Sequence, residues 1–283
     1  GSTGMPGDFF AADTPSLPLA PYPEAPIVDT NVYLSRWPFR RLPCDQPQPL
    51  AARLRLRGVA RAWTGSFDGL LHDDLAAVND SLAQTCRATD GELFVPFGSV
   101  NPSLPGWQDD LLRCHEIHQM PGIRLHPGYQ GWNLDDPAFE DLLRAAAERE
   151  LLIQIVVRME DSRTQHPLLQ APDLDLTPLA ATLERIPGCR IQLLNALRTL
   201  REPAALNQLA ALGVGFEIAM LEGAAGIEHF LEEIPLESLL FGSYTPFFYL
   251  ESALLKLPES ALDTAQLQAI CSANAAHILS PPV

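Results

Sequence analysis

Eight short apolar runs spaced along the chain constrain this fold more than any other feature. They are PIVDTNV, VARAWTG, LFVPFGSV, GIRLHP, LLIQIVV, RIQLLN, VGFEIA and LLFGS, and stretches of helical period such as PAFEDLLRAAAERE and PLAATLERI lie between them. Runs of this length without polar alternation read as strands buried on both faces, and an intervening helix makes each connection a parallel crossover. Eight such units over about 260 residues match the usual size of a closed (β/α)8 barrel. An open doubly wound sheet is the competing arrangement, but no G-x-G-x-x-G follows the first strand.

The remaining segments are placed around that body. Residues 1–4, GSTG, resemble an expression scar, and the arm from residue 5 to about 25 carries prolines at 6, 15, 18, 21 and 23. Such an arm is expected to be extended and to cover the body without forming a domain. Residues 26–283 are expected to form one barrel domain, with the helix around Thr264 to Leu279 packing outside it.

Composition limits the partners. A formal charge of −16 and a pI near 4.7 leave no basic face for a polyphosphate, so nucleic acid is not an expected partner. The longest strand-like apolar run, LLIQIVV, is far below the roughly 20 residues that span a bilayer. No secretory signal is visible, and five scattered cysteines without a C-x-x-C pair fit a reducing cytoplasm. No cofactor is called for; the expected partner is a small anionic molecule, and the chain is compatible with a homo-oligomer.

In a barrel of this kind the chemistry lies at the carboxyl ends of the strands. Strand alternation puts Asp29, Asn31 and Tyr33 on one face and Val28, Thr30 and Val32 on the other. Arg124 and His126 share a parity in the fourth strand, as do Gln154, Val156 and Arg158 in the fifth. His126, with an ordinary pKa near 6.5, could move protons or be satisfied by the backbone before Pro127. Arg158 could grip a carboxylate with its planar fork, or pair with Glu160 or Asp161. Glu217 is a carboxylate inside an apolar strand and needs a buried partner, for which Arg124 and Arg158 are the candidates. His115 and His118 belong to a helix face on the exterior, and Arg36, Arg40 and Arg41 could recognise an anion or stay solvated.

Four stretches, IVDTNV, GIRLHPGYQGWNLDDPAFEDLLRAAAERELLIQI, LLFGSYTPFF and SANAAHIL, resemble amidohydrolase-related proteins, a branch of metal-dependent hydrolases and decarboxylases of small carboxylated molecules. The resemblance implies an α/β TIM barrel of the metallo-dependent-hydrolase kind. It also implies paired histidines on the first strand, histidines ending the fifth and sixth, and an aspartate after the eighth. This sequence has Asn31 and Tyr33, Gln154 or Val156, Asn195 and Tyr244 at those places. Neutral amides and a phenol of pKa near 10 are poor ligands for a divalent ion, so no inherited metal cage is expected.

The leading expectation is therefore a metal-independent barrel that binds, and could hydrolyse or decarboxylate, a small carboxylated molecule. His126 would transfer protons, Arg124 and Arg158 would hold the anionic group, and Tyr33 and Tyr244 would donate to developing charge. Asn31, Asn195 and Glu217 complete the binding set. Two other readings stand beside it. One is a noncatalytic binding or scaffolding barrel; the other is a metal hydrolase with ligands relocated to His126, Glu160, Asp161, His166 and Glu217.

Overall fold

The computed structural model describes residues 26–35, 37, 41–160 and 171–280. Asp161, His166, Arg36 and Arg40 lie outside the described residues. Eight strands occur in the eight apolar runs: β1 (Ile27–Tyr33), β2 (Val59–Gly65), β3 (Phe94–Pro96), β4 (Gly122–Leu125), β5 (Leu152–Val156), β6 (Arg190–Leu194), β7 (Phe216–Glu217) and β8 (Leu239–Leu240). All pairings are parallel, in three ladders ordered β1-β2-β3, β4-β5-β6 and β7-β8.

The three ladders do not merge into one continuous sheet, but single backbone bridges span the seams. Gly98 bridges Ile123 and Gln192 bridges Gly215. Between the last strand and the first, Thr30 N–H donates to the Phe241 carbonyl at 3.0 Å and Tyr244 N–H to the Asn31 carbonyl at 2.8 Å. Each strand thus neighbours the next around to β1, a TIM-barrel-like α/β arrangement.

The helices cover this ring for reasons the sequence states locally. Asp136 accepts from the Ala138 N–H at 3.0 Å to start the helix Pro137–Glu148, whose Phe139, Leu142, Leu143 and Ala146 recur at helical spacing and are buried. The C-terminal helical run packs on residues of the strands. Ala275, Ile278 and Leu279 pack onto Trp63, Phe97, Leu152 and Leu240 from the strands, and Arg190, first residue of β6, donates to the carbonyls of Ile278 and Leu279. The run therefore packs against residues of the strands' interior cluster beside the first residues of β5 and β6.

Within the ring, polar side chains form a layer of their own. Arg124, Gln154 and Gln192 occupy matching register positions on β4, β5 and β6. Arg124 Nε donates to Gln154 Oε1 at 2.8 Å, Gln154 Nε2 to Gln192 Oε1 at 2.9 Å, and Gln192 Nε2 to Thr30 Oγ1 at 2.9 Å. Thr30 was expected to face away from this interior. The β1–β2 register slips between Asp29 and Val32, and the irregularity turns the Thr30 hydroxyl inward, where it donates to the Phe241 carbonyl. The remaining Arg124 donors reach the carbonyls of Val32 at 2.8 Å, Trp63 at 2.9 Å and Thr30 at 3.3 Å.

Gly65 makes room for this guanidinium. A Cβ there would lie 2.8 Å from Arg124 Nη1 and 2.9 Å from its Cδ. We expect Gly65→Ala to destabilise the protein by about 1–3 kcal/mol, the usual cost of forcing an extra methyl into a packed interior. Gly91→Ala, whose Cβ would meet only the Arg87 backbone at 3.6 Å or more, should leave the melting temperature within about 2 °C. Thermal denaturation of the two variants beside the parent checks both.

Candidate functional site

The carboxyl ends of the strands gather most of the residues singled out from sequence. Asn31 Nδ2 donates to Asn195 Oδ1 at 2.8 Å, and Asn195 Nδ2 donates to the Arg158 carbonyl at 2.9 Å. Tyr33 Oη lies 2.9 Å from His126 Nε2, and Tyr244 Oη donates to the Met159 carbonyl at 2.8 Å. Asn31, Tyr33, Arg124, His126, Asn195 and Tyr244 are fully buried. The Met159 sulfur also lies 3.7 Å from Tyr33 Oη and 3.6 Å from Tyr244 Oη.

Above this network sits an aromatic layer. Tyr33 stacks on Phe67 at 4.2 Å between centroids, and Tyr244 stacks on Phe247 at 4.8 Å. Trp37 meets both Phe67 and Phe247 edge-on. Two of the inward residues occupy the left-handed backbone region, Asn195 at φ 58° and Tyr244 at φ 63°. Asparagine tolerates this region, whereas an aromatic there stores about 1–3 kcal/mol of strain that the surrounding bonds must hold.

Two carboxylates lie beside the amides. Glu217 Oε1 accepts from the Asn195 N–H at 2.8 Å and from Asn31 Nδ2 at 3.4 Å, and its Oε2 accepts from the Ala219 N–H at 2.7 Å. Gly242 admits this carboxylate, since a Cβ there would stand 2.4 Å from Oε2. Asp29 accepts from the N–H groups of Asn31 and Ser243 and from the Ser243 hydroxyl. These contacts correct the expected pairing of Glu217 with Arg124 or Arg158, because backbone N–H groups at the strand ends are nearer donors. Arg158 instead pairs with Asp173 at 3.4 Å.

His126 also differs from its alternative reading, for its ring meets the Tyr33 phenol rather than the backbone. Among the described residues its Nδ1 has no hydrogen-bond partner, and neither do Asn31 Oδ1 and Arg158 Nε. Arg124, expected to hold an anionic group, spends its fork on protein carbonyls and Gln154 and lies 4.7 Å from the Tyr33 ring centroid. His118 bonds Asp80 at 2.7 Å beyond the helix Trp107–Glu116, and Arg41 pairs with Asp45.

Burial sets the electrostatics. It pushes His126 down to about 3, aided by the Arg124 charge, so the imidazole is neutral near neutral pH. It pushes Tyr33 up to about 12 and Asp29 up to about 7, against the lowering effect of the Ser243 and Asn31 donors on Asp29. Glu217 is also raised by burial, opposed by the Asn195 and Ala219 N–H groups and the Lys256 charge. Lys256 itself donates to the carbonyls of Ile218 and Ala219 at 2.7 and 2.8 Å.

Sequence reasoning passed over Gln192, Met159 and Lys256. Gln192 was open to the argument that flagged Glu217, a polar group inside an apolar strand. Met159 and Lys256 carry no local signal, since a thioether and a helix lysine are unremarkable until the chain brings them to the strand ends.

An amidohydrolase family model matches residues 35–280, well over half of the chain. The chain belongs to the amidohydrolase family. No curated protein matches its sequence. Among solved structures, 2,6-dihydroxybenzoate decarboxylase from Rhizobium aligns at 14% identity with a TM-score of 0.68, covering 90% of this chain and 98% of that one. The 5-carboxyvanillate decarboxylase of Sphingomonas paucimobilis aligns at 14% identity and a TM-score of 0.71, covering 91% and 99%. The same activity from Novosphingobium aromaticivorans, complexed with manganese and 4-hydroxy-3-methoxy-5-nitrobenzoic acid, gives 14% and 0.71, covering 93% and 99%. At this identity the neighbours establish the fold alone, a TIM-barrel-like α/β arrangement.

The buried titrating groups of this amidohydrolase-family chain give opposite pH signatures. Between about pH 3 and 6.5 the folded chain keeps His126 neutral while the unfolded chain protonates it, so its contribution rises with pH. From pH 3.8 to about 7 the folded chain retains the Asp29 proton that the unfolded chain has released, so its contribution falls with pH. His126→Gln should therefore flatten or reverse the rise of stability with pH, and Asp29→Asn should steepen it. Urea midpoints measured across that range would show the two profiles tilting apart.

Proposed function

We propose that this member of the amidohydrolase family is metal-independent and noncatalytic at the inherited centre, and that its strand ends have become a hydrogen-bonded core of a binding or scaffolding barrel. The observation that carries this reading is the mutual engagement of the inward groups. The bond chain from Asn31 through Asn195 to the Arg158 carbonyl takes up Asn31 Nδ2 and both ends of the Asn195 amide, and the phenols of Tyr33 and Tyr244 end on His126 and Met159.

The donor set fits a divalent ion poorly. By the family resemblance, Asn31, Tyr33, Asn195 and Tyr244 stand where charged or imidazole ligands would be. The nearby carboxylates of Asp29 and Glu217 direct oxygens at N–H and O–H donors. A cation entering here would break those bonds and face neutral amides, which compensate little of its dehydration. The relocated-ligand reading draws partly on Asp161 and His166, outside the described residues, and elemental analysis addresses it directly.

A second reading keeps the leading expectation, a metal-free site for a small carboxylated molecule. It is favoured by the unpartnered His126 Nδ1 and Arg158 Nε beneath an aromatic layer, and by decarboxylases of hydroxybenzoates among the fold neighbours. In it His126 relays a proton, Arg158 attracts the carboxylate, and Tyr33 and Tyr244 donate to developing charge.

Elemental analysis of the purified protein should find well under one equivalent of zinc, manganese or iron, and chelator should not move its melting temperature. No decarboxylation of 2,6-dihydroxybenzoate or 5-carboxyvanillate, and no thermal shift by either, is expected with or without added manganese. Stoichiometric metal would overturn the first reading. Ligand-induced stabilisation lost in Arg158→Ala would establish the second.

A further inference from the structure

One residue at the strand ends is gripped from three sides. β5 ends at Val156, and just beyond it the Val157 N–H still donates to the Leu194 carbonyl at 3.0 Å. Met159, two residues further on, is held by phenols instead. Its N–H donates to Tyr129 Oη at 3.3 Å and its carbonyl accepts from Tyr244 Oη at 2.8 Å. Its sulfur lies 3.7 and 3.6 Å from the hydroxyls of Tyr33 and Tyr244. The Arg158 carbonyl just before it accepts from Asn195 Nδ2 at 2.9 Å. Met159 and Tyr244 are fully buried, and Tyr129 packs on the same cluster. The phenols come from separate elements: Tyr33 ends β1, Tyr129 lies in the short helix Pro127–Gln130 after β4, and Tyr244 follows β8. The Tyr244 bond therefore joins ladders that share no continuous sheet. Tyr244 makes it from a left-handed backbone, φ 63°, a conformation that persists in an aromatic residue only where its surroundings hold it.

We propose that Tyr129 and Tyr244 form a latch on the Met159 peptide groups that keeps the strand-end core shut, and that its release, with the barrel still folded, is how a small molecule reaches His126. A scaffold core and a ligand site alike need this interior closed, so the inference goes beyond both functional readings and stands with either. Residues 158 and 159 lie outside the β5 ladder, and opening there breaks the three side-chain hydrogen bonds while the strands and helices keep theirs. Local openings of this kind cost far less than global unfolding. The Tyr244 ring stays packed on Phe247 whether or not its hydroxyl is bonded, so the latch and the aromatic layer are separable. Tyr129 and Tyr244 are thus positioning residues, acting on His126 through the segment they hold.

Carbethoxylation by diethyl pyrocarbonate reads the opening, because the reagent needs an accessible neutral imidazole and His126 is buried and neutral near neutral pH. Peptide mass spectrometry follows His126 well below the melting temperature, with the exposed His229 of the same molecule as reference. In the parent, His126 should react far more slowly than His229. Tyr244→Phe and Tyr129→Phe each delete one hydroxyl and keep the ring. Each should speed the His126 reaction by about 3- to 10-fold, the shift in opening expected from one lost hydrogen bond, and leave His229 unchanged. Phe139→Leu, in the helix Pro137–Glu148, lowers the melting temperature without touching the latch and should leave His126 at the parental rate. The proposal is overturned if parental His126 reacts as fast as His229, or if a phenylalanine variant that folds leaves it at the parental rate. It is overturned equally if the rates of all variants simply follow melting temperature. Should Tyr244→Phe not fold, the partly buried Tyr129→Phe position carries the test by the same criteria. Metal content and ligand-induced shifts do not enter this readout, so either functional reading can fail without the latch failing.

Discussion

A guanidinium can be taken out of water only if its N–H groups find acceptors, and in this barrel that requirement organises the centre. Arg124 draws the carbonyls of Thr30, Val32 and Trp63 and the amide of Gln154 to itself. Those acceptors come from three strands, so the ring must hold its register for the charge to be tolerated. Because a buried charge with a missing partner is strongly destabilising, the layer is all or nothing. The glycine at 65 leaves room for this group and Gln154 fixes its Nε, while Gln192 joins Gln154 to Thr30.

The strand ends above inherit the consequences. The polar groups there end on protein partners: Asn31 on Asn195, Tyr33 on His126 and Tyr244 on the Met159 carbonyl. An amide is both donor and acceptor, so Asn195 links Asn31 to the Arg158 carbonyl without an ion. The phenols of Tyr33 and Tyr244 fill volume and end on acceptors, and the stacked rings above exclude water.

Much of the fold was legible because its signal is local. Each apolar run is long enough to read as a buried strand, and the helix Pro137–Glu148 announces its start with Asp136 and its face with leucines. The grouping of Asn31, His126, Arg158, Asn195 and Tyr244 at one end was legible too, since strand ends of a parallel barrel share a side. Partner choice was not. Arg158 and Glu217 were each recognisable as buried charges in need of compensation, yet which groups compensate them depends on where backbone N–H groups fall after the chain closes. The inward turn of Thr30 was equally hidden, because a register slip on β1 leaves no mark in residue type. The C-terminal helix reads as amphipathic from sequence, but which apolar surface it covers is decided by tertiary packing.

Anomalous diffraction from crystals of the protein soaked with manganese tests the central claim most directly, since it locates an ion rather than inferring one from stability. The account predicts no anomalous peak inside the ring, with the Asn31–Asn195 and Tyr33–His126 bonds intact. A strong peak coordinated by Asp29, Glu217 or His126 would contradict it.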